Sequence, residues 1–451
     1  MPLKETIVAL ATPHGESALA LIRLSGPQSP EFTKIIFKCE EALPRQAYLG
    51  SYRAFNGDEL DTVVYTSYAK DASYTGEELL EISCHGNPFI VQMIIEDLIR
   101  RGCRVAEPGE FTRLAFLNGR MDLSQAEAVM DLIRARSDKA LEAAKKQLSG
   151  SVRNKVNALT EGLLQIISHF EAYIDFPEED LPPEDHEGPV RELSALKEDM
   201  ERLITTSHYS TVLREGIKTV IVGLPNVGKS SLFNALTGEE RAIVSEQPGT
   251  TRDYIEERIM LDSYFLCVID TAGLRESDST LENLSMKKTR EQLASADLKL
   301  LVLDSTAPAP LFPEDVLRYL DNGRTVVLEN KVDLPDSKVH EEYLPASSHC
   351  RISALTGEGI TEVEKAIGKI FTCAIEVPTP DTIIVSARHA NALNEAKKHL
   401  YTAIEKIRLE NPTELIVSDI RESVDALSAI TGKVDNEAIL DKLFNSFCIG
   451  K

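Results

Sequence analysis

Residues 223–230 read GLPNVGKS, which matches the G-x-x-x-x-G-K-[ST] pattern of a phosphate-binding loop. The apolar run KTVIVG (218–223) precedes this loop and SLFNALTG (231–238) follows it, so the loop joins a predicted strand to a predicted helix. Inward-facing backbone N–H groups and the positive end of a helix bind phosphate in such loops. We expect Lys229 to contact the β and γ phosphates and Ser230 to bind Mg²⁺. A chance glycine-rich turn is the alternative.

Four further motifs follow in the order that is typical of the G1 to G5 set of GTPases. PGTTRD (248–253) offers a second hydroxyl for Mg²⁺, and DTAG (270–273) ends the apolar run FLCVI. NKVD (330–333) ends the run TVVLE, and its Asp333 carboxylate can accept two N–H bonds from guanine but not from adenine. Ser-Ala at 353–354 follows CRI, where a backbone amide usually meets guanine O6. The predicted GTP contacts are Asn226, Val227, Gly228, Lys229, Ser230, Ser231, Ser245, Glu246, Gln247, Pro248, Gly249, Thr250, Thr251, Asp270, Thr271, Ala272, Gly273, Asn330, Lys331, Asp333, Ser353 and Ala354.

The position after DTAG departs from the Ras pattern, because Leu274 stands where Ras-type GTPases carry the glutamine that orients the attacking water. Another group must orient that water, or hydrolysis will be very slow. Glu282 is our candidate; the alternative is a solvent-exposed charge on a helix.

Asn226 also has two interpretations. It either tightens the loop or offers its side-chain oxygen to a monovalent cation, which would stabilise charge in the transition state.

The pattern of apolar residues predicts a multidomain protein of α/β plus α class. Residues 1–120 mix short strands and helices as an α+β domain, and 121–215 are helical with apolar residues at spacings of three and four. Residues 216–375 alternate strands with helices, which predicts a mostly parallel sheet, and 376–451 are helical again. The simplest account is one helical domain that an inserted α/β domain splits in sequence. Two separate helical domains are the alternative.

The net charge of −23 excludes nucleic-acid binding through the overall electrostatic field. RNA contact would therefore need a local basic patch, and the stretch 134–155 offers one. Its basic residues are Arg134, Arg136, Lys139, Lys145, Lys146, Arg153 and Lys155. A solvent-exposed helix face is the favoured interpretation of this stretch.

The seven scattered cysteines form no CxxC pair, which argues against zinc or a disulfide framework and favours a reducing cytoplasm.

No apolar run approaches the roughly 18 residues of a membrane span. The final residues NSFCIGK resemble a C-terminal lipidation box, but Gly450 and Lys451 stand where such boxes need aliphatic and small or apolar residues. We therefore expect no membrane anchor. Cys448 is either a reactive thiol or a small buried side chain, and the sequence favours neither.

The whole set of motifs resembles the tRNA modification GTPase MnmE (TrmE) family. The stretches that carry the resemblance are PNVGKSSLFNAL, PGTTRD, DTAGLRE, TIVALATP, RLSG, YTGEELLEISCHG, PGEFTRLAFLNGRMDLSQAEA, IDFPEED and FCIGK, which together cover essentially the whole chain. The resemblance implies a tetrahydrofolate-binding N-terminal domain that forms a homodimer, a helical domain built from both flanks, and an inserted P-loop GTPase domain with a Ras-like sheet. It also implies K⁺-stimulated hydrolysis of GTP in the cytoplasm.

The chemistry that the resemblance implies is modification of tRNA. With an FAD-dependent partner, MnmG (GidA), in a heterotetramer, family members install an aminomethyl or carboxymethylaminomethyl group on C5 of the wobble uridine of certain tRNAs. The one-carbon unit comes from 5-formyl-tetrahydrofolate or a related folate. A ribosome-assembly GTPase that only switches RNA binding is the alternative, although it would not need a folate domain or a tail cysteine.

The resemblance also implies residue roles. Asn226, Ser245, Gln247 and Thr250 would bind K⁺, Ser230 and Thr251 would bind Mg²⁺, Glu282 would orient water, and Arg23, Glu81, Arg120 and Lys451 would bind folate beside Cys448. Two positions depart from the family pattern: Arg120 is often lysine, and CHGN replaces the usual HGG at Asn87. Without the resemblance, we would interpret each of the predicted folate-binding side chains as part of a surface salt bridge.

Overall fold

The structure is a computed structural model. It describes residues 5–40, 42–175, 187–241, 256–261, 264–270, 291–320, 323–338, 344, 347–374, 382–432, 437–447 and 449–451. The chain divides into two compact units. Unit 1 holds residues 1–133, 145–198 and 392–451, and unit 2 holds residues 134–144 and 199–391. The boundaries predicted at residues 121, 216 and 376 stay predictions.

Unit 1 contains a six-stranded sheet with two helices on one face. The strands are β1 (Ile7–Leu10), β2 (Ser17–Ser25), β3 (Ala47–Arg53), β4 (Glu59–Tyr68), β5 (Leu79–Gly86) and β6 (Arg104–Val105), and the helices are α1 (Ser29–Phe37) and α2 (Pro88–Arg100). The strand order is β3-β4-β5-β2-β1-β6, and all neighbours are antiparallel except β1 and β6. Along β5, Leu80, Ile82 and Cys84 are buried in the core, so Glu81 and Ser83 lie on the opposite face.

Further helices follow along the described part of the chain. They are α3 (Glu110–Leu117), α4 (Leu123–Arg134), α5 (Asp138–Leu148), α6 (Ser151–Asp175), α7 (Glu187–Thr205), α8 (Ser207–Glu215), α9 (Lys229–Arg241), α10 (Glu314–Leu320), α11 (Ile360–Ala374), α12 (Ala387–Arg408), α13 (Thr413–Thr431) and α14 (Glu437–Phe444). In unit 1, α6 packs against α13, and Arg421 donates to Glu171 between them. Helices from both sequence flanks of the α/β region therefore pack together. Within the described ranges, no helix has the length and apolar character needed to cross a bilayer.

Unit 2 contains a second six-stranded sheet. Its strands are β7 (Ile217–Val222), β8 (Glu256–Leu261), β9 (Tyr264–Asp270), β10 (Leu298–Asp304), β11 (Thr325–Asn330) and β12 (Ser348–Arg351), in the order β12-β11-β10-β7-β9-β8. All neighbouring strands are parallel except β8 and β9. Buried clusters cover both faces: Leu232, Val363 and Ile367 belong to one, and Leu293 and Leu320 to the other. This confirms the predicted class, a parallel α/β sheet combined with helical and α+β regions.

Candidate nucleotide site and a charged pair on the N-terminal sheet

The loop between β7 and α9 has the backbone of a phosphate-binding turn. Asn226 and Gly228 both adopt positive φ angles, 64° and 98°. A Cβ atom at Gly228 would lie 2.2 Å from the side-chain nitrogen of Asn330, so only glycine fits. Helix α9 begins directly afterwards, and Leu232 N donates to Gly228 O at 2.9 Å. The first-turn N–H groups of a helix have no partner within that helix, and they point toward this loop.

Asn330 ties together three loops of the predicted GTP site. Its Nδ2 donates to Val227 O at 2.8 Å, and its Oδ1 accepts from Ala354 N at 2.9 Å. The side chain is almost fully buried, with 3% of its surface exposed. The phosphate loop, the NKVD motif and the loop at 353–354 are therefore held in fixed relative positions. The Ser-Ala loop is the place where the sequence predicts a backbone amide for guanine O6, and in this structure the Ala354 N–H donates to Asn330.

The charged and hydroxyl groups of the first motif lie around the loop. Lys229 extends back over it, and its Nζ donates to Gly223 O at 2.9 Å and to Leu224 O at 2.8 Å. Ser230 and Ser231 lie exposed on the first turn of α9. The ammonium group and the hydroxyls thus border one loop, as phosphate and metal binding require.

The second half of the site lies at the carboxyl ends of β10 and β11. Lys331 follows β11 with a φ of 72°, and its Nζ lies 2.5 Å from Asp304 Oδ2 at the end of β10. Asp333 is exposed two residues later. Ser353 is buried, and its Oγ accepts from Thr356 N at 3.2 Å, so its hydroxyl shapes the turn.

Other predicted members lie outside the described residues. They are Ser245, Glu246, Gln247, Pro248, Gly249, Thr250, Thr251, Thr271, Ala272, Gly273, Glu282 and Cys448. Asp270 ends β9, and it pairs in register with Ile221 of β7. This register brings the start of the DTAG motif to the sheet edge from which the phosphate loop leaves.

A second group of polar side chains lies on the sheet of unit 1. Arg23 of β2 and Glu81 of β5 are register partners, and Arg23 Nε and Nη2 both donate to Glu81 Oε1, at 2.9 Å and 2.8 Å. Tyr68 donates to the other oxygen, Oε2, at 3.3 Å. The Arg23 guanidinium carbon lies 5.6 Å from the ring centre of Tyr74 and 5.8 Å from that of Phe111. The pair is therefore held by aromatic and hydrogen-bonding contacts on several sides.

The C-terminal tail reaches this pair. Gly450 O accepts from Arg23 Nη1 at 3.5 Å. Gly450 has a φ of 95°, and a Cβ there would lie 2.2 Å from Leu10 O, so the tail passes tightly over the end of β1. Lys451, which is half-buried, is therefore placed next to a residue that contacts Arg23. The structure thus brings Arg23, Glu81 and the chain end together.

Arg120 lies beside the loop before β5. Its Nη1 donates to Asp71 O at 3.2 Å, and its stem lies 3.2 Å from the position of a Cβ on Gly76. This loop also carries Tyr74, which covers Arg23. Asn87, where the motif departs from the family pattern, begins α2 and accepts from Phe89 N at 2.8 Å. Its side chain is a helix N-cap, which accounts for asparagine at that position.

The two tyrosines keep their protons at neutral pH. Burial and the negative charge of Glu81 raise the pKa of Tyr68, and burial raises the pKa of Tyr74. A guanidinium, a carboxylate and two phenols beside a phenylalanine ring can bind a ligand that has an aromatic ring, N–H donors and carboxylates. The sequence did not single out Tyr68, Tyr74 or Phe111, because only the register and packing bring them to Arg23.

The basic stretch 134–155 has partners within the chain. Arg153 lies half-exposed, with Nε 3.8 Å from Asp122 Oδ2. Arg134, Lys139, Lys146 and Lys155 also have polar or charged partners. The interpretation of this stretch as a solvent-exposed helix face stays a prediction.

Known proteins match this chain along its length. A family model described as the GTP-binding protein TrmE N-terminus matches residues 6–120, and one described as the MnmE helical domain matches residues 123–448. The tRNA modification GTPase MnmE of Opitutus terrae is 48% identical over 451 residues, which is 100% of both chains. The protein of the same name from Natranaerobius thermophilus is 41% identical over 456 residues, covering 99% of this chain and 100% of the relative. That of Aquifex aeolicus is 40% identical over 453 residues, again 100% of both chains. The resemblance found in the motifs is confirmed: the chain belongs to the tRNA modification GTPase MnmE family.

Proposed function

We propose that this protein hydrolyses GTP during the modification of tRNA. The observation that carries the proposal is the Asn330 side chain, which joins the phosphate loop at Val227 to the base-recognition loop at Ala354. The bridge supports the proposal because it joins the phosphate loop to the NKVD motif at one edge of a parallel sheet, where nucleotides bind in this class of fold. The names of the relatives, all tRNA modification GTPases, supply the biological reaction.

The roles in hydrolysis follow from the chemistry of each group. Lys229 would neutralise the β and γ phosphates, and Ser230 with Thr251 would hold Mg²⁺. Asn226, with Ser245, Gln247 and Thr250, would bind K⁺ at the phosphates and so replace an arginine finger. Glu282 would orient the attacking water, because Leu274 cannot. The exposed position of Asn226 in a left-handed turn supports its role, since the side chain is free of the core.

The N-terminal unit would bind a folate such as 5-formyl-tetrahydrofolate. Glu81 accepts from Arg23 and Tyr68, and a carboxylate in such a position can also accept pterin N–H groups. Arg23, Arg120 and Lys451 would pair with the folate carboxylates. The folate would supply one carbon to an aminomethyl or carboxymethylaminomethyl group on C5 of the wobble uridine, in a heterotetramer of this homodimer with FAD-dependent MnmG (GidA).

GTP turnover in K⁺ and in Na⁺, with an Asp333→Asn variant beside the wild type, tests the proposal. The wild type should hydrolyse GTP faster in K⁺; equal slow rates in both salts would refute the cation role of Asn226. An asparagine at 333 cannot accept two N–H bonds, but its amide can donate to the C2 carbonyl of xanthine. Asp333→Asn should therefore prefer XTP, and an unchanged preference for GTP would refute the base site.

A further inference from the structure

Asp304 lies outside the GTPase motifs, and both of its carboxylate oxygens accept hydrogen bonds. It ends β10 and is the register partner of Asn330, which ends β11. Thr306 fixes Oδ1 through its backbone N at 2.9 Å and its Oγ1 at 2.6 Å. Oδ2 lies 2.5 Å from Lys331 Nζ. Because both oxygens are held, the carboxylate has one orientation at the edge of the sheet.

Lys331 has an unusual backbone that needs support. Its φ of 72° is left-handed, a conformation that is strained for a residue with a Cβ. The side chain is 31% exposed and that of Asp304 is 18% exposed, so water screens this ion pair only in part. Burial by itself would raise the pKa of Asp304, but the hydrogen bonds from Lys331 and Thr306 outweigh it and lower the pKa. The carboxylate is therefore charged at neutral pH and holds the ammonium.

We propose that Asp304 is a positioning residue for guanine recognition: it fixes the stem of Lys331 as an apolar support for one face of the base. Lys331 lies between Asn330, which is tied to the phosphate loop, and Asp333, which would read the edge of guanine. A lysine stem is four methylene groups long, and it covers a planar ring well when its ammonium is anchored elsewhere. The inference rests on the proposed function, because it requires a guanine nucleotide at this edge.

Asp304 therefore contributes to nucleotide binding and leaves the reacting phosphate untouched. Loss of the anchor should raise the KM for GTP while kcat at saturation stays within about twofold. The ring face is common to guanine and hypoxanthine, whereas the 2-amino group that Asp333 would read exists in guanine alone. Affinity for GTP and for ITP should therefore fall by the same factor.

The test is equilibrium binding of GTP and ITP to the full chain, combined with steady-state hydrolysis. Asp304→Asn should weaken binding of both nucleotides about tenfold, as loss of one charged contact does. Thr306→Val keeps the ion pair and the backbone hydrogen bond to Oδ1 but removes the hydroxyl hydrogen bond, and it should weaken binding of both nucleotides about threefold. Asp297→Asn is the matched control: Asp297 precedes the same strand, accepts from Lys218 N at 3.1 Å, and should leave binding within about twofold of the wild type.

A double variant separates positioning from general damage. Lys331→Met removes the ammonium that Asp304 holds, so Asp304→Asn should add less than about a twofold loss in that background. Losses that multiply, a fall in kcat with unchanged KM, or weaker binding of GTP alone would each overturn the inference. If the wild type binds neither nucleotide, the proposed function itself fails. If Asp304→Asn binds both nucleotides as tightly as the wild type does, only the role of Asp304 fails.

Discussion

Arg23 and Glu81 are 58 residues apart in sequence, yet two guanidinium nitrogens of Arg23 donate to a single oxygen of Glu81, at 2.9 Å and 2.8 Å. The second oxygen of Glu81 accepts from Tyr68, and the third nitrogen of Arg23 faces the carbonyl of Gly450. Both ionic groups are mostly buried, with 15% and 21% of their side chains exposed. This arrangement holds a carboxylate and a guanidinium side by side, at the place where the C-terminal tail contacts the sheet.

Arg23→Ala should weaken binding of 5-formyl-tetrahydrofolate at least about tenfold, because it removes the donor for a folate carboxylate and leaves Glu81 without its ion-pair partner. Arg23→Lys should give an intermediate loss, since lysine keeps the charge but not the two-nitrogen geometry. Titration calorimetry measures both. Arg104→Ala is the control, because Arg104 pairs with Glu5 and Glu110 in the same unit. Unchanged affinity in Arg23→Ala would refute the folate site.

Gly228→Ala should abolish measurable GTP binding, because its new Cβ would lie 2.2 Å from the Asn330 nitrogen and break the bridge to Val227. Gly323→Ala is a matched control: its φ is also positive, at 71°, but nothing lies within 4 Å of an added Cβ. That control should lose only about 1 kcal/mol of stability through backbone strain. Nucleotide titration with thermal unfolding compares the two. Equal GTP affinity in both variants would contradict the assigned role of the loop.

The residues of the nucleotide site were easier to predict from the sequence than the hydrogen bonds and ion pairs between them. Each motif is local, so the turn at Gly228 and the strand ends at Asp270 and Asn330 follow from spacing and apolar runs. The bond from Asn330 to Val227 spans 103 residues and depends on sheet order. Asp304 carries no motif, and only the register of β10 with β11 brings it to Lys331.

The N-terminal pair shows the same limit. Motif resemblance selected Arg23, Glu81 and Lys451, but their contacts depend on the register of β2 with β5 and on the path of the tail. Tyr74 and Phe111 surround Arg23 through packing that no spacing rule predicts. The departure at Asn87 had a local explanation that was readable from the sequence, because asparagine before proline is a typical start of a helix.

Acid should remove the stabilising effect of Asp304. Hydrogen bonds from Lys331 and Thr306, outweighing burial, hold its pKa below the ordinary 3.8. Its contribution is therefore complete above that value and is lost as pH falls from there through the folded pKa. Urea unfolding of the wild type and Asp304→Asn should show a stability difference at pH 6 that shrinks toward pH 3. A difference that stays constant over this range would contradict the assignment.

Three buried thiols should resist alkylation in the native protein. Burial is the main cause that raises the pKa of Cys84 to about 11, of Cys103 to about 12 and of Cys350 to about 11. At pH 8 only about one molecule in a thousand carries the thiolate at a pKa of 11. Iodoacetamide at pH 8 should label these sites only after unfolding in urea, as peptide mass spectrometry would show. Rapid labelling of the native chain would contradict the packing described here.

We propose that GTP hydrolysis at the phosphate loop, residues 223–230, serves tRNA modification. The most direct measurement is the nucleoside content of tRNA from a strain whose chromosomal copy carries Lys229→Ala, beside a Gly323→Ala strain and the wild type. In the wild type the Lys229 ammonium donates to the carbonyl oxygens of Gly223 and Leu224 in the phosphate loop. Lys229→Ala removes this ammonium. We expect tRNA from the Lys229→Ala strain to lack the C5 group on the wobble uridine, while tRNA from the Gly323→Ala strain keeps it. A normal nucleoside profile in the Lys229→Ala strain would contradict the claim.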